Sequence, residues 1–241
     1  IRPSRGLGDV YKRQVLASVA MSSVLAERCD AAGIPVVLFN RAQQEDRFST
    51  VTSDNFAGGK ALAEFLVAGG HRRIGYIAGW EGASTQRDRE AGFCAGLAEH
   101  GHKLFARGVG DFRTETAAKA ARAMFLASEF PDAVFVANDH MAFAVIEELR
   151  GNLGLRVPED VSVVGYDDVQ LSRWSSFDLT TVRQPSGEMV AETVAALMAQ
   201  IEDGETEPRR VKIDGPLVVR GSARRPADWK ANWKECDDER L

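Results

Sequence analysis

Residues 54–79 read DNFAGGKALAEFLVAGGHRRIGYIAG and join a helix to a strand. The pattern predicts the helix over 56–68. The glycines of 68–71 stand at its C-terminus, where a capping residue in the left-handed backbone conformation is expected. The strand predicted over 73–79 is largely apolar, which is typical of a strand covered on both faces. A helix that leads into such a strand is the repeating unit of a parallel sheet with crossover helices.

The same alternation continues on both sides of this stretch. The other strand candidates are short and mostly apolar, and they lie at 35–40, 133–138, 161–167, 179–182 and 216–219. The other helix candidates lie between them, near 87–99, 114–127, 140–150 and 185–202. A second glycine stop stands in EHGH at 99–102. We therefore predict an α/β protein with parallel sheets.

The composition is that of a packed globular protein. The chain has 241 residues, of which 44% are hydrophobic and 27% are charged. The net charge of −5 argues against a surface that is basic overall, so strong phosphate binding would need a local patch. Only the opening stretch at 1–14 is visibly basic.

Cysteine usage and hydropathy narrow the protein class further. Cys29, Cys94 and Cys236 are odd in number and far apart, which predicts neither a disulfide framework nor a zinc site and favours the reducing cytoplasm. No apolar run approaches the roughly 18 residues that a membrane span requires. We expect no metal, no cofactor and no membrane partner.

Polar side chains follow the predicted strands at the edge where open α/β sheets bind ligands. They combine carboxylates, amides, guanidinium groups and an aromatic face, and they are Asn40, Arg41, Asp54, Asn55, Trp80, Thr85, Arg89, Asn138, Asp139, Asp167 and Asp168. Such a set of hydrogen-bonding groups without a nucleophile is typical of a reversible small-molecule site.

Several of these residues have a structural alternative. Asp54 and Asp139 could each cap the helix that follows. Trp80 and Phe112 could be ordinary packing residues. Asp167 next to Asp168 could be a solvated turn or a carboxylate pair for acid–base chemistry. The acid–base alternative is weak, because neighbouring side chains on an extended segment point to opposite sides.

Motifs for catalysis are absent from the sequence, and we expect no enzymatic activity. There is no G-x-S-x-G elbow, no H-E-x-x-H and no phosphate-binding P-loop. His71 follows a helix stop, where a structural role is expected. His100 and His102 have no further metal ligands nearby in the sequence, and only His140 neighbours the predicted ligand edge.

Seven segments resemble the effector-binding domain of the LacI/GalR family of bacterial transcriptional regulators. They occur in family order, and they are GIPVVLFNR (33–41), the opening stretch of 54–79, RDREAGFCAGL (87–97), VFVANDHMAFAVIEELR (134–150), VPEDVSVVGYDDV (157–169), LTTVRQP (179–185) and LVVRGS (217–222). The resemblance implies a periplasmic-binding-protein-like fold of two α/β lobes, with a ligand held between them.

The resemblance also implies where the lobes begin and end. Residues 15–52 and 184–213 are expected to form an incomplete N-terminal lobe. Residues 53–183 and 214–225 are expected to form the C-terminal lobe, followed by a polar tail at 226–241. Because 1–14 abuts a position inside a family lobe, we interpret it as a non-native leader rather than an arm for nucleic acid.

The ligand contacts that the resemblance implies are all among the polar or aromatic residues already singled out. They are Asn40, Thr85, Arg89, Phe112, Asn138 and Asp167, with Asp54 and Trp80 as weaker candidates. Arg89 and Asp167 suit the hydroxyls of a sugar, and Phe112 offers a flat apolar face. A sugar or related polyol is the expected effector, although family members also bind purines and nucleosides.

The implied function is that of a sensor in a DNA-binding regulator. Effector binding would modulate operator binding by a homodimer, through a helix-turn-helix headpiece that this fragment lacks. Two other hypotheses remain open: a periplasmic sugar-binding protein of a transporter, which shares the fold, and an enzyme on a similar scaffold.

Overall fold

A computed structural model describes residues 14–17, 24–43, 47–202, 207–227 and 229. Most of the predicted leader at 1–14 and of the predicted tail at 226–241 lies outside the described residues. The first strand begins at Gln14, one residue inside the predicted leader. In the tail, Trp229 packs edge-on against Phe65 with 5.1 Å between the ring centroids. This part of the tail is therefore packed rather than freely exposed.

The chain forms two compact units. The first comprises the described residues up to Ser53 together with Gly82–Thr85 and Pro185–Ile213, and the second comprises Asp54–Glu81, Gln86–Gln184 and the described residues from Asp214 onward. The predicted boundaries put 82–85 in the second unit, whereas the structure groups this segment with the first. The reason is local: the Ala42 N–H donates to Ser84 Oγ at 2.8 Å.

The described part of the first unit is a parallel sheet with a helix on each face. The strand order is β1-β2-β3-β9, and all three pairings are parallel. The elements are β1 (Gln14–Ala17), α1 (Val24–Ala31), β2 (Val36–Phe39), β3 (Ser49–Ser53), α6 (Ser186–Glu202) and β9 (Arg210–Ile213).

The middle of this sheet is covered on both faces. Leu38 packs with Ala26 and Cys29 of α1. Its neighbour Val37 points to the opposite face and packs with Met189 of α6. Alternation of side chains along a strand explains the two separate clusters.

The described part of the second unit has a six-stranded sheet in the order β10-β8-β7-β6-β4-β5, parallel except for β10. Its strands are β4 (Ile74–Ala78), β5 (Ala106–Val109), β6 (Ala133–Val136), β7 (Ser162–Asp167), β8 (Thr180–Arg183) and β10 (Leu217–Val218). Its helices are α2 (Asn55–Ala68), α3 (Ser84–Glu99, whose first two residues belong to the first unit), α4 (Thr114–Phe125) and α5 (Asp139–Glu147). A π-helical turn at Glu148–Asn152 and a 3-10 turn at Gln170–Arg173 complete the described part.

Three aromatic rings centre the core of the second unit. Tyr76 of β4, Phe93 of α3 and Phe135 of β6 lie with ring centroids 5.0–5.9 Å apart. Every residue of β4 and β6 is buried, as the continuous apolar runs predicted. The α/β class with parallel sheets is confirmed.

The strands that the sequence pattern missed lie at sheet edges or consist mostly of polar residues. β5 (ARGV) and β9 (RVKI) alternate half-buried and exposed positions, and β3 (STVTS) is almost all hydroxyl-bearing. α1 was not predicted either. The two glycine stops are confirmed, because Gly70 and Gly101 have φ values of 82° and 74°.

Candidate ligand-binding site

The strand order of the second unit reverses at β4. From β4 the chain continues to β5 on one side and then crosses to β6 on the other side. Ligands of open α/β sheets bind beyond the carboxyl ends of the strands at such a reversal. Helix α3 follows β4 and carries Arg89, and Asn138 caps α5 directly after β6. The two side chains therefore belong to the elements that leave this point.

Arg89 joins three elements at this edge. Its Nε donates to Asn55 Oδ1 at 2.8 Å, its Nη1 to the Ala137 carbonyl at 2.7 Å and its Nη2 to Asp167 Oδ1 at 3.2 Å. The residue is 3% exposed. A guanidinium has five N–H donors in a fixed fork, so these three bonds fix its plane and still leave donors for a ligand.

Tyr166 lies against the face of the same guanidinium. The Arg89 Cζ atom is 3.7 Å from the centroid of the Tyr166 ring, a cation–π contact in a desolvated setting. The Tyr166 hydroxyl donates to the Asp54 carbonyl at 3.5 Å. Arg89 is thus held in its plane by hydrogen bonds and from one face by a ring.

Asp167 supplies the negative charge at the edge. Its Oδ1 accepts from Gln184 Nε2 at 2.6 Å as well as from Arg89, and its side chain remains 21% exposed. Its backbone has φ 127°, a region that a non-glycine residue rarely occupies. The carboxylate is therefore oriented by two donors and still accessible.

Asp168 serves a different purpose from its neighbour. Its side chain is fully buried, and it accepts from Arg183 Nε and, at 2.6 Å, from Arg220 Nη2. Because the two carboxylates are held by different arginines, Asp167 and Asp168 do not converge on one point. The acid–base pair is therefore wrong, and a solvated turn does not describe Asp168 either.

Two predicted ligand residues act as helix caps. Asp54 Oδ1 accepts from the Ala57 N–H at 2.9 Å, so the capping alternative is confirmed for Asp54. Asn138 Oδ1 accepts from the Met141 N–H at 3.1 Å and caps α5. This bond fixes which way the Asn138 amide points.

Asp139 is the first residue of α5 and is fully buried. Its carboxylate accepts from the Val169 N–H at 3.0 Å, from Ser172 Oγ at 2.7 Å and from Thr181 Oγ1 at 2.6 Å. Burial, together with the nearby charge of Asp167, raises the pKa of Asp139 to about 6, although these three donors act to lower it. The predicted alternative for Asp139 was a helix cap, but Asn138 takes that position.

The two aromatic candidates differ. Phe112 has φ 55° and its ring lies so close to Gly79 that a Cβ on Gly79 would stand 2.2 Å from Phe112 Cε1. Gly79 is therefore required for this approach. Trp80 follows directly and is 43% exposed. Phe112 is placed by packing, as its structural alternative proposed, and Trp80 is largely free of it.

Asn40 and Thr85 lie in the first unit. Asn40 follows β2 with φ 55°, and its Oδ1 is buried without a hydrogen-bond partner among the described residues. Arg41 Nη1 donates to the Asn40 carbonyl at 3.2 Å and to Thr85 Oγ1 at 2.5 Å. Arg41 thus links Asn40 to Thr85 within the first unit.

Reasoning from sequence missed three members of the Arg89 cluster or left them without a role. Asn55 stood among the polar strand-end residues but received no role. Gln184 directly follows β8, so its strand-end position was a usable signal. Tyr166 lies inside an apolar strand, where nothing distinguishes it from a core residue.

The predictions for His71, for metal binding and for membrane spans concern features outside the ligand-binding edge. The His71 side chain is fully buried, and its Nδ1 lies 3.4 Å from Asp132 Oδ1. Burial lowers the pKa of His71, and the charge of Asp132 opposes this effect. Among the described residues, no group of three or more potential ligands could hold a metal. In the same residues, no helix combines the length and hydropathy of a membrane span.

Comparison with known proteins gives a consistent result. The sequence profile of the periplasmic binding protein-like domain matches residues 63–223. The transcriptional regulator CelR of Thermobifida fusca is 36% identical over 215 residues, which cover 86% of this chain and 62% of the relative. The chain thus spans less than two thirds of that relative's length.

Solved structures agree with the sequence match. A CelR–cellobiose complex superposes with a TM-score of 0.80 at 34% identity, covering 87% of this chain and 65% of the other. A LacI transcriptional regulator from a Rhodococcus species gives a TM-score of 0.80 at 28% identity, covering 89% and 79%.

The fold and the matched profile define the protein class: the chain belongs to the periplasmic binding protein-like domain family. Within that class it is an effector-binding domain of the LacI/GalR type, as the seven sequence segments implied.

Proposed function

We propose that this chain is the effector-sensing part of a LacI-type transcriptional regulator and that its effector is a sugar or related polyol. The observation that carries the proposal is the Arg89–Asp167 pair. A buried cation and an accessible carboxylate stand side by side at the carboxyl edge of a parallel sheet, each already oriented by other protein groups.

The pair matches the chemistry of neighbouring sugar hydroxyls. Each hydroxyl is both a donor and an acceptor. The unused N–H donors of Arg89 can donate to hydroxyl oxygens, and Asp167 can accept from hydroxyl hydrogens. Charge-assisted hydrogen bonds of this kind are the strong ones. An apolar ligand would leave these groups unpaired, which penalises its binding.

The neighbouring residues extend the match. The Asn138 amide points its oxygen at the α5 cap, which leaves its NH₂ group available for a ligand. Phe112 and Trp80 offer apolar faces at the same end of the sheet, suited to the C–H face of a sugar ring. Asn40 and Thr85 of the first unit remain proposed contacts on the strength of the family resemblance.

The relatives favour a regulator over the two other hypotheses. CelR is described as a transcriptional regulator, and its complex contains cellobiose. We propose that the whole protein acts as a cytoplasmic homodimer that binds operator DNA through a headpiece. The effector would change operator binding only through different affinities for the two states of the sensor.

Calorimetric titration tests the proposal. Cellobiose is the first titrant, followed by a panel of mono- and disaccharides, with adenine and adenosine as non-sugar comparisons. We expect Arg89→Ala to weaken sugar binding at least about a hundredfold, because it removes a buried cation with all its bonds. We expect Asp167→Asn to weaken it about tenfold, the equivalent of a lost charge-assisted hydrogen bond.

Arg156→Ala is the matched control, because Arg156 forms an exposed ion pair with Asp160 in the same unit. It should bind the sugar like the unchanged chain. Equal affinity in all the variants would contradict the assigned site, and binding of the purine compounds alone would contradict the proposed effector class.

A further inference from the structure

The Asp139 carboxylate connects three separate parts of the second unit. It lies at the start of α5, and its partners are the Val169 backbone, the Ser172 hydroxyl and the Thr181 hydroxyl of β8. Val169 and Ser172 belong to the segment that follows β7 (168–173, the post-β7 segment). One fully buried side chain thus anchors this segment to α5 and β8.

The post-β7 segment needs an anchor because its entry is conformationally costly. Asp167 and Asp168 have φ values of 127° and 55°, both in the region that disfavours side chains. Two consecutive residues of this kind persist only where the surroundings over-determine them. The bonds from Asp139 to Val169 and Ser172 hold the chain immediately after these two residues.

The backbone beside Asp139 accommodates the carboxylate closely. A Cβ on Gly165 would stand 2.3 Å from Asp139 Oδ1. Gly165 precedes Asp167 by two residues on β7, so the carboxylate lies against the strand that carries the ligand residue. The three donors bonded to it are uncharged, and Asp167 of β7 is a charged group close enough to act on it electrostatically.

Resting on the proposed function, we propose that Asp139 is a positioning residue for ligand binding. By accepting hydrogen bonds from Val169, Ser172 and Thr181, it holds the post-β7 segment in the conformation that keeps the Asp167 carboxylate on Arg89. Asp139 itself does not contact the ligand and acts through Asp167.

Hydrogen exchange tests the anchoring without any ligand. In Asp139→Ala the Val169 N–H loses its acceptor, and we expect its amide to exchange at least about tenfold faster, as for a lost hydrogen bond to a charged group. Asp139→Asn should keep most of the protection, because its amide oxygen can serve Val169 and Ser172 while the Thr181 hydroxyl turns to accept. Unchanged Val169 exchange in Asp139→Ala would overturn the proposal.

Affinity for cellobiose tests the positioning role. We expect Asp139→Ala to weaken binding about tenfold, and Ser172→Ala, which removes one donor to Asp139, about threefold. Ser162→Ala is the matched control: Ser162 is equally buried and accepts one hydrogen bond, from the Arg224 N–H, at the opposite end of β7. If Asp139 only stabilised the fold, Asp139→Ala, Ser172→Ala and Ser162→Ala would all have lower melting temperatures and unchanged sugar affinity, which would overturn the proposal.

A double-mutant cycle completes the test. In an Asp167→Asn background, Asp139→Ala should cost no further affinity, because the residue through which it acts is already disabled. Additive losses would overturn the proposal. If Asp139→Ala does not fold, Ser172→Ala against Ser162→Ala carries the same comparison. If cellobiose does not bind the unchanged chain, the proposed function fails for this sugar, while Val169 exchange still decides the anchoring.

Discussion

The two ends of the sheet in the second unit use polar residues differently. At the carboxyl end, Arg89 and Asp167 are oriented by protein groups, and each still has hydrogen-bonding capacity that these groups do not use. At the amino end, Asp132 accepts the N–H groups of Arg72 and Arg73, and Ser162 accepts that of Arg224. The amino end closes turns, whereas the carboxyl end holds charged groups ready for a ligand.

The largest expected effect concerns the shape of the cation at the carboxyl end. Arg89→Lys keeps the positive charge, but one ammonium cannot reach Asn55, Ala137 and Asp167 in the way a planar fork does. We expect sugar affinity to fall about a hundredfold, within the range for breaking a buried hydrogen-bonded charge pair. Calorimetric titration measures it. If Arg89→Lys bound the sugar like the unchanged chain, only the charge of Arg89 would matter.

The next effect separates the two neighbouring aspartates. Asp168→Asn leaves Arg183 and Arg220 without their buried carboxylate, and we expect a loss of about 3 kcal/mol in the free energy of unfolding. Urea unfolding measures it. Asp160→Asn, at an exposed ion pair with Arg156, is the control and should cost no more than about 1 kcal/mol, the usual value of an exposed pair. Similar curves for the two variants would show that Asp168 has no structural role.

A smaller effect concerns the amino end and pH. Burial lowers the pKa of His71 in the folded state, so only the unfolded chain takes up the proton as the pH falls below the ordinary histidine value of about 6.5. Stability from neutral His71 is therefore complete above that pH and is lost as the pH falls toward the folded-state pKa. The pH dependence from Asp139 has the opposite sign. Its pKa is raised to about 6 in the folded state, so protonated Asp139 stabilises the fold, and this stabilisation is lost as the pH rises through 6.

Comparison with a variant isolates the histidine. Between pH 7 and 5.5 we expect the unchanged chain to lose about 1 kcal/mol of unfolding free energy relative to His71→Leu. The loss is no larger because the unfolded chain takes up only one additional proton at this residue. Sugar affinity should not change in His71→Leu at pH 7, since His71 lies at the amino end. Parallel stability profiles would show that folding does not lower the pKa of His71.

The smallest expected effect is at a residue that packing does not hold. Trp80→Ala should weaken sugar binding about threefold, the value of a single aromatic face, and leave the melting temperature unchanged. Phe112→Ala should lower both, because its ring packs against Gly79. Equal melting temperatures for the two variants would contradict this distinction.

Continuous apolar runs made the central strands predictable from sequence. β4 and β6 are buried along their length and β7 is buried as far as Tyr166, so their composition carries the signal. The edge strand β5 (ARGV) alternates half-buried and exposed positions and is formed by its pairing with β4, which no local pattern records.

The site was predictable only in part for a related reason. Asp167 is the last residue of β7 and Arg89 lies in the helix that follows β4, so position alone marks them as candidates. The role of Asp139 depends on Thr181, which is 42 residues away in sequence and 2.6 Å away in space. Tyr166 likewise acts through Arg89, which is close only after folding. Contacts between distant elements depend on strand register, and no local sequence pattern encodes them.

Amide chemical shifts on titration with the sugar panel, led by cellobiose, test whether the ligand binds at the carboxyl end of the second unit's sheet. We expect shifts at Ala137, Asn138 and Asp167, with the Arg89 Nε–H resonance moving in parallel. We expect unchanged amide shifts at Asp132, Ser162 and Arg224. Shifts confined to the amino end, or no shifts with any sugar of the panel, would contradict this assignment.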